Sequence, residues 1–275
     1  MQVLRRPVRR VSCRKGTAWV GGARTQPAPA VCYLSYAFLT CCYPMTLAMP
    51  LSLPALRHRL PLLLALGLSL TLSFALIAVR IVLTREPTFI FLLWNLFLAA
   101  IPFGLSAALH LAARPPGVRL LLPVGVVWLL FFPNAPYLVT DLFHLVPRPG
   151  VPYWYDLALI MSCAWNGLML AYASLLDMHT LVRQRLGFWL GWVFATVALG
   201  LSAFGVYLGR FLRFNSWDII SNPFTLFYDI LQRFLHPLHN RQAWGVTVVF
   251  WAFLLIGYAT VRLLGQRKEL GIEEQ

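Results

Sequence analysis

Charged side chains are scarce in this chain. Asp, Glu, Lys and Arg make up 12% of its 275 residues, whereas hydrophobic residues make up 59%. Soluble domains carry about a quarter charged residues, so this composition excludes an ordinary soluble protein. The apolar residues form blocks of about twenty, the length at which an α-helix crosses a bilayer. Alternating segments of about ten residues, which a transmembrane barrel needs, are missing. The sequence therefore predicts an all-α, multi-pass membrane protein.

Acidic residues are scarcer than basic ones. Nine Asp and Glu stand against 23 Lys and Arg, which gives a formal net charge of +14. In a soluble protein this excess would suggest nucleic-acid binding. Here the arginines lie mostly beside apolar blocks, where they orient helices and meet anionic lipid headgroups. We therefore expect membrane lipids, and no nucleic acid, as partners.

Sequence motifs of known chemistry are also missing. The five cysteines form neither a Cys-x-x-Cys pair nor a Cys/His spacing, so they predict no disulfide framework and no zinc site. The chain contains no His-Glu-x-x-His and no phosphate-binding loop. Gly-Leu-Ser occurs at 67–69, 104–106 and 200–202, but inside apolar helical blocks rather than at a strand–turn–helix junction. The sequence identifies no cofactor and leaves open whether the protein is an enzyme.

Six apolar spans are predicted, at about residues 60–82, 88–112, 118–132, 154–176, 186–209 and 244–264. Residues 1–56 differ from them because they are basic, contain no acid and show no apolar period. We predict a poorly ordered segment there, either a basic targeting segment or an extension upstream of a true start near Met45 or Met49. The six-span domain then covers residues 57–268, and a short polar tail covers 269–275.

An even number of spans puts both ends of this domain on one side of the membrane. That side carries slightly more arginine and lysine, which favours a cytoplasmic location for it. The loops at 133–153 and 210–243 then lie together on the non-cytoplasmic side.

Small residues recur at helical spacing in the fourth and fifth spans. Those of the fifth are Gly187, Gly191, Ala195, Ala198, Ser202, Gly205 and Gly209, and those of the fourth are Ala164, Gly167, Ala171 and Ser174. Such stripes let membrane helices approach closely. We predict that these two spans pack together, with a moving transporter helix as the alternative.

The loop at 210–243 contains a predicted amphipathic helix. Asn222 suits its N-cap, Pro223 suits its first position, and Pro237 ends it. Asp229 and Arg233 form an i, i+4 pair opposite the apolar face. That face consists of Phe224, Phe227, Tyr228, Leu231, Phe234, Leu235 and Leu238. Two interpretations remain open: a helix in the membrane interface, or a lid packed on the bundle.

The stretch FFPNAPYLVTDLFHL, residues 131–145, ends the third span. Pro136 should hold Ala135 extended, so we expect a helix to begin at Pro136. Tyr137, Asp141 and His144 then share one face, opposite Leu138, Leu142 and Leu145. Asp141 and His144 are one turn apart and form a candidate catalytic acid–base pair. Two ligands do not make a metal site, so none is predicted.

Other polar residues are expected at the same membrane face. They are Asn134, Asp156, Arg210, Arg213, Asn215 and Asp218. With Tyr137 they predict a substrate-binding site in which Arg210 and Arg213 clamp an anionic group such as a lipid phosphate. The same residues could instead form a closed network of salt bridges.

Polar residues elsewhere have simpler interpretations. Asn95 is expected to form an interhelical hydrogen bond, and Asn166 lies deep enough that it needs a partner. On the opposite membrane face, Asp177 and His179 do not align on one helical side. We therefore expect them to make loop contacts.

Three sequence blocks resemble a known family. FFPNAPYLVTDLFHL, WYDLALIMSCAWNGL and GVYLGRFLRFNSWDI are similar to segments of bacterial multi-pass membrane proteins that contain the domain of unknown function 1361. The resemblance covers residues 60 to 265. It implies a bacterial inner-membrane location and a chain that starts near Met49. It implies no reaction, substrate or cofactor.

The sequence thus favours a membrane protein that binds or processes an anionic lipid or lipid-linked substrate at a non-cytoplasmic interface. A transporter or channel comes second, because only Asn95 and Asn166 are polar residues deep within the spans. A non-catalytic assembly protein with a structural polar cluster comes third. The oligomeric state is not predicted.

Overall fold

The computed structural model of the protein describes residues 53–112, 117–214, 216 and 218–269. The predictions for residues 1–52, for Asn215 and for the tail after 269 lie outside these residues. The regular elements of the described part are helices. They are α1 (Leu53–Thr84), α2 (Phe91–Leu111), α3 (Val118–Phe131), α4 (Asn134–Tyr137), a 3-10 helix (Leu138–His144), α5 (Tyr153–Leu186), α6 (Phe188–Phe211), α7 (Asp218–Ser221), α8 (Pro223–Leu235) and α9 (Arg241–Glu269).

Six of these segments are long and apolar enough to cross a membrane. They are α1, α2, α5, α6, α9, and α3 together with the short helices that follow it as far as His144. The predicted all-α fold with six spans is therefore confirmed, and the chain is a multi-pass membrane protein. We call the side with residues 85–90, 132–152, 212–214 and 218–240 the loop face. The side where α1 begins and α9 ends is the terminal face.

Helix α5 lies at the centre of the bundle. Of its most apolar stretch 67% is buried, whereas the corresponding fraction is 17–44% in the other spans. The other spans therefore keep broad apolar surfaces, on which residues such as Leu68, Val126 and Val249 are exposed. These surfaces suit contact with lipid.

Two ion pairs fix α1 against α5. Arg80 donates from Nε to Asp156 Oδ1 (2.7 Å) and from Nη2 to Oδ2 (3.4 Å). Arg59 donates to both carboxylate oxygens of Asp177. The arginines are 21 residues apart (80 − 59 = 21), and so are the aspartates (177 − 156 = 21). Twenty-one residues of helix span about 31 Å, close to the thickness of a hydrocarbon core. The antiparallel helices thus carry one ion pair near each membrane boundary.

The same helix pair is joined midway between its ion pairs. Asn166 Nδ2 donates to Ser73 Oγ (2.8 Å) and to the Ser69 carbonyl (3.1 Å). The amide nitrogen of the deep asparagine therefore has the partners that its position requires, while its Oδ1 is buried without a hydrogen bond.

Asp177 and His179 lie within α5, so the prediction of loop contacts is wrong. The helix continues to Leu186 and ends at Gly187, whose φ of +94° suits glycine. Residues two apart point to opposite sides of a helix. Asp177 accordingly faces Arg59 on α1, whereas His179 Nδ1 is hydrogen-bonded to Tyr258 Oη on α9 (2.7 Å).

The predicted contact between the fourth and fifth spans, α5 and α6, is present, but part of each small-residue stripe packs against a third segment. A methyl group at Gly191 of α6 would lie 3.0 Å from the His179 side chain of α5, so the two helices do meet near the terminal face. Towards the loop face, residues 133–138 lie beside both stripes. A methyl group at Gly205 would come within 2.8 Å of Pro133, and one at Gly167 would collide with the Ala135 carbonyl oxygen. The glycines therefore make room for the segment that opens the candidate site.

Candidate functional site

The chain stays inside the bundle after α3 ends at Phe131. Its next turn is helical from Asn134, and Ala135 N–H bonds the Phe132 carbonyl (3.2 Å). The predictions of an extended Ala135 and of a helix start at Pro136 are therefore wrong. Pro133 already adopts a helical φ of −60°, and its carbonyl accepts the Tyr137 N–H (3.1 Å). Close packing of this turn against α5 and α6 outweighs the preference of a residue before proline for extended geometry.

Residues Leu138–His144 form a 3-10 helix instead of an α-helix. Because a 3-10 helix has three residues per turn, residues three apart lie above one another. Leu138, Asp141 and His144 therefore form one row, although Leu138 was expected opposite Asp141. Leu138 and Asp141 are fully buried. Tyr137 precedes this helix and packs beside Gly209 of α6.

Asp141 is the centre of a polar cluster that joins three parts of the bundle. Asn95 of α2 donates from Nδ2 to Asp141 Oδ2 (3.0 Å), which confirms the expected interhelical hydrogen bond. Arg210 Nη1 of α6 lies 3.5 Å from Asp141 Oδ1, an ion-pair distance without hydrogen-bond geometry. The same Nη1 lies 3.1 Å from His144 Nε2. Since a guanidinium only donates, Nε2 accepts this bond and the His144 proton is on Nδ1.

Aromatic rings shield this cluster. The His144 ring meets Phe91 edge-on at 5.0 Å, and the Arg210 guanidinium lies over the Phe143 ring at 5.1 Å. Asp141 and His144 thus share a cation, and the distances between them and Arg210 leave no gap for a ligand.

Three of the other predicted site residues lie outside this cluster. Asp156 is paired with Arg80 in the α1–α5 contact and does not join Asp141. Arg213 is exposed at the end of α6, and Asp218 begins α7, where its Oδ1 accepts a hydrogen bond from Ser221 (3.0 Å). The predicted convergence therefore applies to Asp141, His144 and Arg210, with Asn95 as an additional member.

A cavity of about 510 Å³ lies beside this cluster, at the loop-face end of α2, α3 and α6. Its apolar lining comes from those three helices and from the chain after α6. This lining includes Trp94, Leu98, Val126, Leu129, Leu130, Leu201, Leu208, Phe214, Ile219 and Leu226. Volumes of this size are typical of small-molecule sites.

Four polar side chains also line the cavity: Asn95, Asn134, Tyr137 and Ser216. Asn134 donates from Nδ2 to Ser216 Oγ (2.9 Å), and Ser216 donates to the Leu130 carbonyl (3.1 Å). These bonds hold the chain after α6 over the end of α3. Asn95 belongs to both the cavity wall and the Asp141 cluster, so its amide links the two.

Arg213 lies next to a residue of this wall, Phe214. Its φ is +60°, a left-handed conformation that is uncommon for residues other than glycine. This turn lets the Phe214 N–H donate to the Leu208 carbonyl (3.2 Å). The side chains of Phe214 and Leu208 both line the cavity. An exposed arginine thus directly precedes a cavity-lining residue, in a conformation that costs about 1 kcal/mol or more.

The polar side chains in the middle of α5 are separated by an apolar stretch. Asn166 and Ser174 are eight residues apart on α5, about 12 Å along the helix. The interior between them is filled by Leu170, Ala171 and Trp128, all buried. Ser174 itself accepts a hydrogen bond from Trp128 Nε1 (2.7 Å).

Sequence reasoning missed the partners of the aspartates. Arg59 and Arg80 were not predicted as partners of Asp177 and Asp156, although their spacing of 21 residues repeats that of the two aspartates. This equal spacing is the signal that could have identified both pairs. The place of Asn95 at the cavity had no such signal, because it depends on where the turn at residues 132–137 lies in the bundle.

Residues 94–256 match the model of a family described as protein of unknown function (DUF1361). The match covers more than half of the chain and includes the cavity lining, Asn95, Asp141, His144 and Arg210. No curated protein and no solved structure matches the chain.

Proposed function

The chain belongs to the DUF1361 family of proteins of unknown function, and we propose that it binds an anionic lipid or a lipid-linked substrate in the loop-face cavity. The observation that carries this proposal is the cavity itself. Its walls are apolar over three spans, and its polar groups are the amides and hydroxyls of Asn95, Asn134, Tyr137 and Ser216. Such a lining suits a ligand with a hydrocarbon chain and a polar headgroup.

The depth of the cavity supports a ligand of this kind. On α6 the lining extends from Leu201 to Gly209, eight residues or about 12 Å of helix. That distance is a large part of one leaflet. Leu201, Val126 and Trp94 are at once lining residues and exposed on the outer surface of the spans. A lipid could therefore enter sideways between α2, α3 and α6.

The anionic charge of the ligand is inferred from Arg213. Removing a phosphate from water requires a cation or several donors, and arginine binds phosphate through a fork of N–H groups. Arg210 is already engaged by Asp141 and His144. Arg213 is exposed and directly precedes Phe214 of the cavity wall. We assign it the headgroup.

Asp141 and His144 are assigned a positioning role. Both contact Arg210, and neither lines the cavity. Asp141 holds the Asn95 amide through the 3.0 Å hydrogen bond and so fixes its oxygen relative to the ligand space. Binding is the activity that we propose. Transport receives less support, because Leu170, Ala171 and Trp128 separate the polar side chains in the middle of α5.

The proposed location is a bacterial inner membrane, with the loop face on the non-cytoplasmic side. Support comes from the similarity of the three sequence blocks to bacterial membrane proteins and from the slightly larger number of basic residues on the terminal side.

The proposal can be tested with two arginines that share a backbone conformation. Arg85 and Arg213 are both exposed on the loop face with φ of +60°, but only Arg213 adjoins the cavity. Arg213→Gly should weaken binding of phosphatidylglycerol about 10- to 100-fold, the contribution of a hydrogen bond to a charged group. Arg85→Gly should leave it unchanged. Native mass spectrometry of the purified protein with phosphatidylglycerol and with phosphatidylcholine of the same acyl chains measures both.

Two results would contradict the proposal. One is wild-type phosphatidylglycerol binding by Arg213→Gly. The other is an equal loss in both variants, which would reflect the general positive charge of the loop face. Equal affinity of the wild-type protein for the two lipids would overturn the assignment of an anionic headgroup.

A further inference from the structure

Helix α8 exposes its aromatic side and turns a polar pair towards the bundle, which is the reverse of a helix on the surface of a soluble protein. Its side facing the bundle carries Leu226 and Arg233, both buried, with Ile230 half-buried between them. Its outer side consists of large apolar and aromatic residues. Phe224 is 89% exposed and Phe227 66%, and Tyr228, Leu231, Phe234 and Leu235 are also exposed.

Hydrogen bonds hold the polar side of α8 against the bundle. Arg233 donates from Nε to Tyr207 Oη on α6 (3.4 Å) and from Nη1 to Asp229 Oδ1 (3.1 Å). The predicted pair of Asp229 and Arg233 is therefore present. Trp244 Nε1 on α9 donates to the Arg233 carbonyl (3.1 Å). Pro223 occupies the first turn as predicted, while Asn222 makes no side-chain capping bond.

This orientation separates the two interpretations of the helix. A lid in water would turn its aromatic face inward, because each exposed Phe or Leu forgoes a large favourable burial energy. A contiguous apolar patch of this kind on a soluble surface marks an interaction site. Here the polar pair faces the bundle. Phe234 at the edge of the aromatic face touches Phe204 of α6 and Trp244 of α9, whereas Phe224, Phe227 and Tyr228 are mostly exposed.

The position of α8 indicates what covers the aromatic face. Helix α6 ends at Phe211 and α9 begins at Arg241, both at the loop face, so the connection containing α8 starts and ends at one membrane boundary. These two spans also carry exposed apolar residues, at Phe211, Val248 and Val249. Phenylalanine, tyrosine and leucine on one helical face are typical of helices in the membrane interface.

We propose that α8 lies in the interface of the loop-face leaflet, with its aromatic face in lipid and its polar face on the bundle. Membrane lipid is thus the partner of this surface. Since Leu226 lines the cavity, α8 also forms part of the wall of that space. The inference concerns the surface of α8 and does not depend on ligand binding in the cavity.

Spin labels on cysteine can test this placement in liposomes of phosphatidylglycerol and phosphatidylcholine. The full chain would carry Phe227→Cys or Leu235→Cys, with the native cysteines replaced by serine or, at buried Cys163, by alanine. References are Val249→Cys, on an exposed apolar surface of α9, and Glu86→Cys, in an exposed loop. Power saturation measures collisions of each label with oxygen, which enters lipid, and with a nickel chelate, which stays in water.

The expected result is a ratio of oxygen to nickel collisions at 227 and 235 that lies near that of Val249 and above that of Glu86. A ratio equal to that of Glu86 would overturn the proposal, because the face would then lie in water. Low collision rates with both reagents, together with dipolar broadening between labels, would also overturn it, because a second copy would then cover the helix. Two labelled positions guard against a local effect of either substitution.

Discussion

The buried aspartates of this bundle are held in two ways. Asp156 and Asp177 each receive two donors from one arginine, at opposite ends of the contact between α1 and α5. Asp141 receives one hydrogen bond from Asn95, and its arginine, 3.5 Å away, is shared with His144. The first arrangement satisfies both oxygens of the carboxylate and locks two helices in register. The second leaves one oxygen without a hydrogen bond and supports an amide at a cavity wall.

We interpret the two arrangements as different roles: the pairs of Asp156 and Asp177 hold the helices together, whereas Asp141 supports the candidate site. A two-point arginine–carboxylate pair fixes geometry, and losing one partner leaves a buried charge. A more loosely held carboxylate contributes less to stability and can follow small movements of the groups around it. We therefore expect the α1–α5 contact to dominate the stability of the bundle, and the Asp141 cluster to have its main effect on binding.

The largest effect is expected for Asp156→Asn. This change leaves the Arg80 guanidinium buried, with 1% of the side chain exposed, and without a compensating charge. The free energy of unfolding should fall by about 3–5 kcal/mol. Chemical denaturation in detergent micelles measures it. In the double variant Arg80→Gln, Asp156→Asn, part of the loss should be recovered, because the unpaired charge is gone. No recovery would show that the charge is not the cause.

Gly205→Ala should have the next largest effect. The added methyl group would lie 2.8 Å from Pro133 Cβ and Cγ and push the turn at 133–138 away from α6. Overpacking of this kind costs about 1–3 kcal/mol. The matched control is Gly104→Ala, since nothing lies within 4 Å of a methyl group there. Thermal unfolding of both variants should show a lower midpoint for Gly205→Ala only. Equal midpoints would contradict the close approach of the turn and α6.

Asp141→Asn makes the same chemical change as Asp156→Asn in the looser site. An amide oxygen can still accept from Asn95, and Arg210 keeps His144 as a partner. We expect a loss of about 1 kcal/mol in stability. The comparison of the two aspartates fails if this loss equals or exceeds that of Asp156→Asn in the same denaturation experiment.

The smallest expected effect is an increase in stability when glycine replaces either of the two left-handed arginines. Arg85→Gly and Arg213→Gly each place glycine at a φ of +60°, where it adopts the left-handed conformation without the strain of a side chain. Each variant should gain about 0.5–1 kcal/mol in stability. Thermal unfolding would reveal it as a raised midpoint. A destabilised Arg213→Gly would mean that the arginine has a structural role, and the assignment of its headgroup contact would lose its support.

The sequence predicted the architecture because apolar block length alone fixes the number of spans. It also located helix α8, since Pro223, the Asp229–Arg233 spacing and the aromatic face all follow a helical period.

The sequence-based prediction failed at residues 131–145, where local rules favoured a helix from Pro136. The packing of Ala135 and Pro133 against glycines more than thirty residues away produced a tight turn and a 3-10 helix instead. Because the 3-10 helix has three residues per turn, the residue that lies in line with Asp141 is Leu138 and not Tyr137, as an α-helix would have placed it. The ion pair of Arg210 with Asp141 was among the predicted alternatives, because both residues were expected at one membrane face. The pairing of Asn95 with Asp141 was not predicted, because Asn95 was expected deep within its span.

Filling the cavity tests the proposed binding site most directly. Leu201→Trp and Leu208→Trp add bulk on its α6 wall, whereas Val197→Trp adds the same ring one turn outside it. Leu201 and Val197 are about equally exposed, which makes them a matched pair. Native mass spectrometry should show that phosphatidylglycerol binding is lost in Leu201→Trp and Leu208→Trp but kept in Val197→Trp. Wild-type binding in all three variants would contradict the cavity as the lipid site.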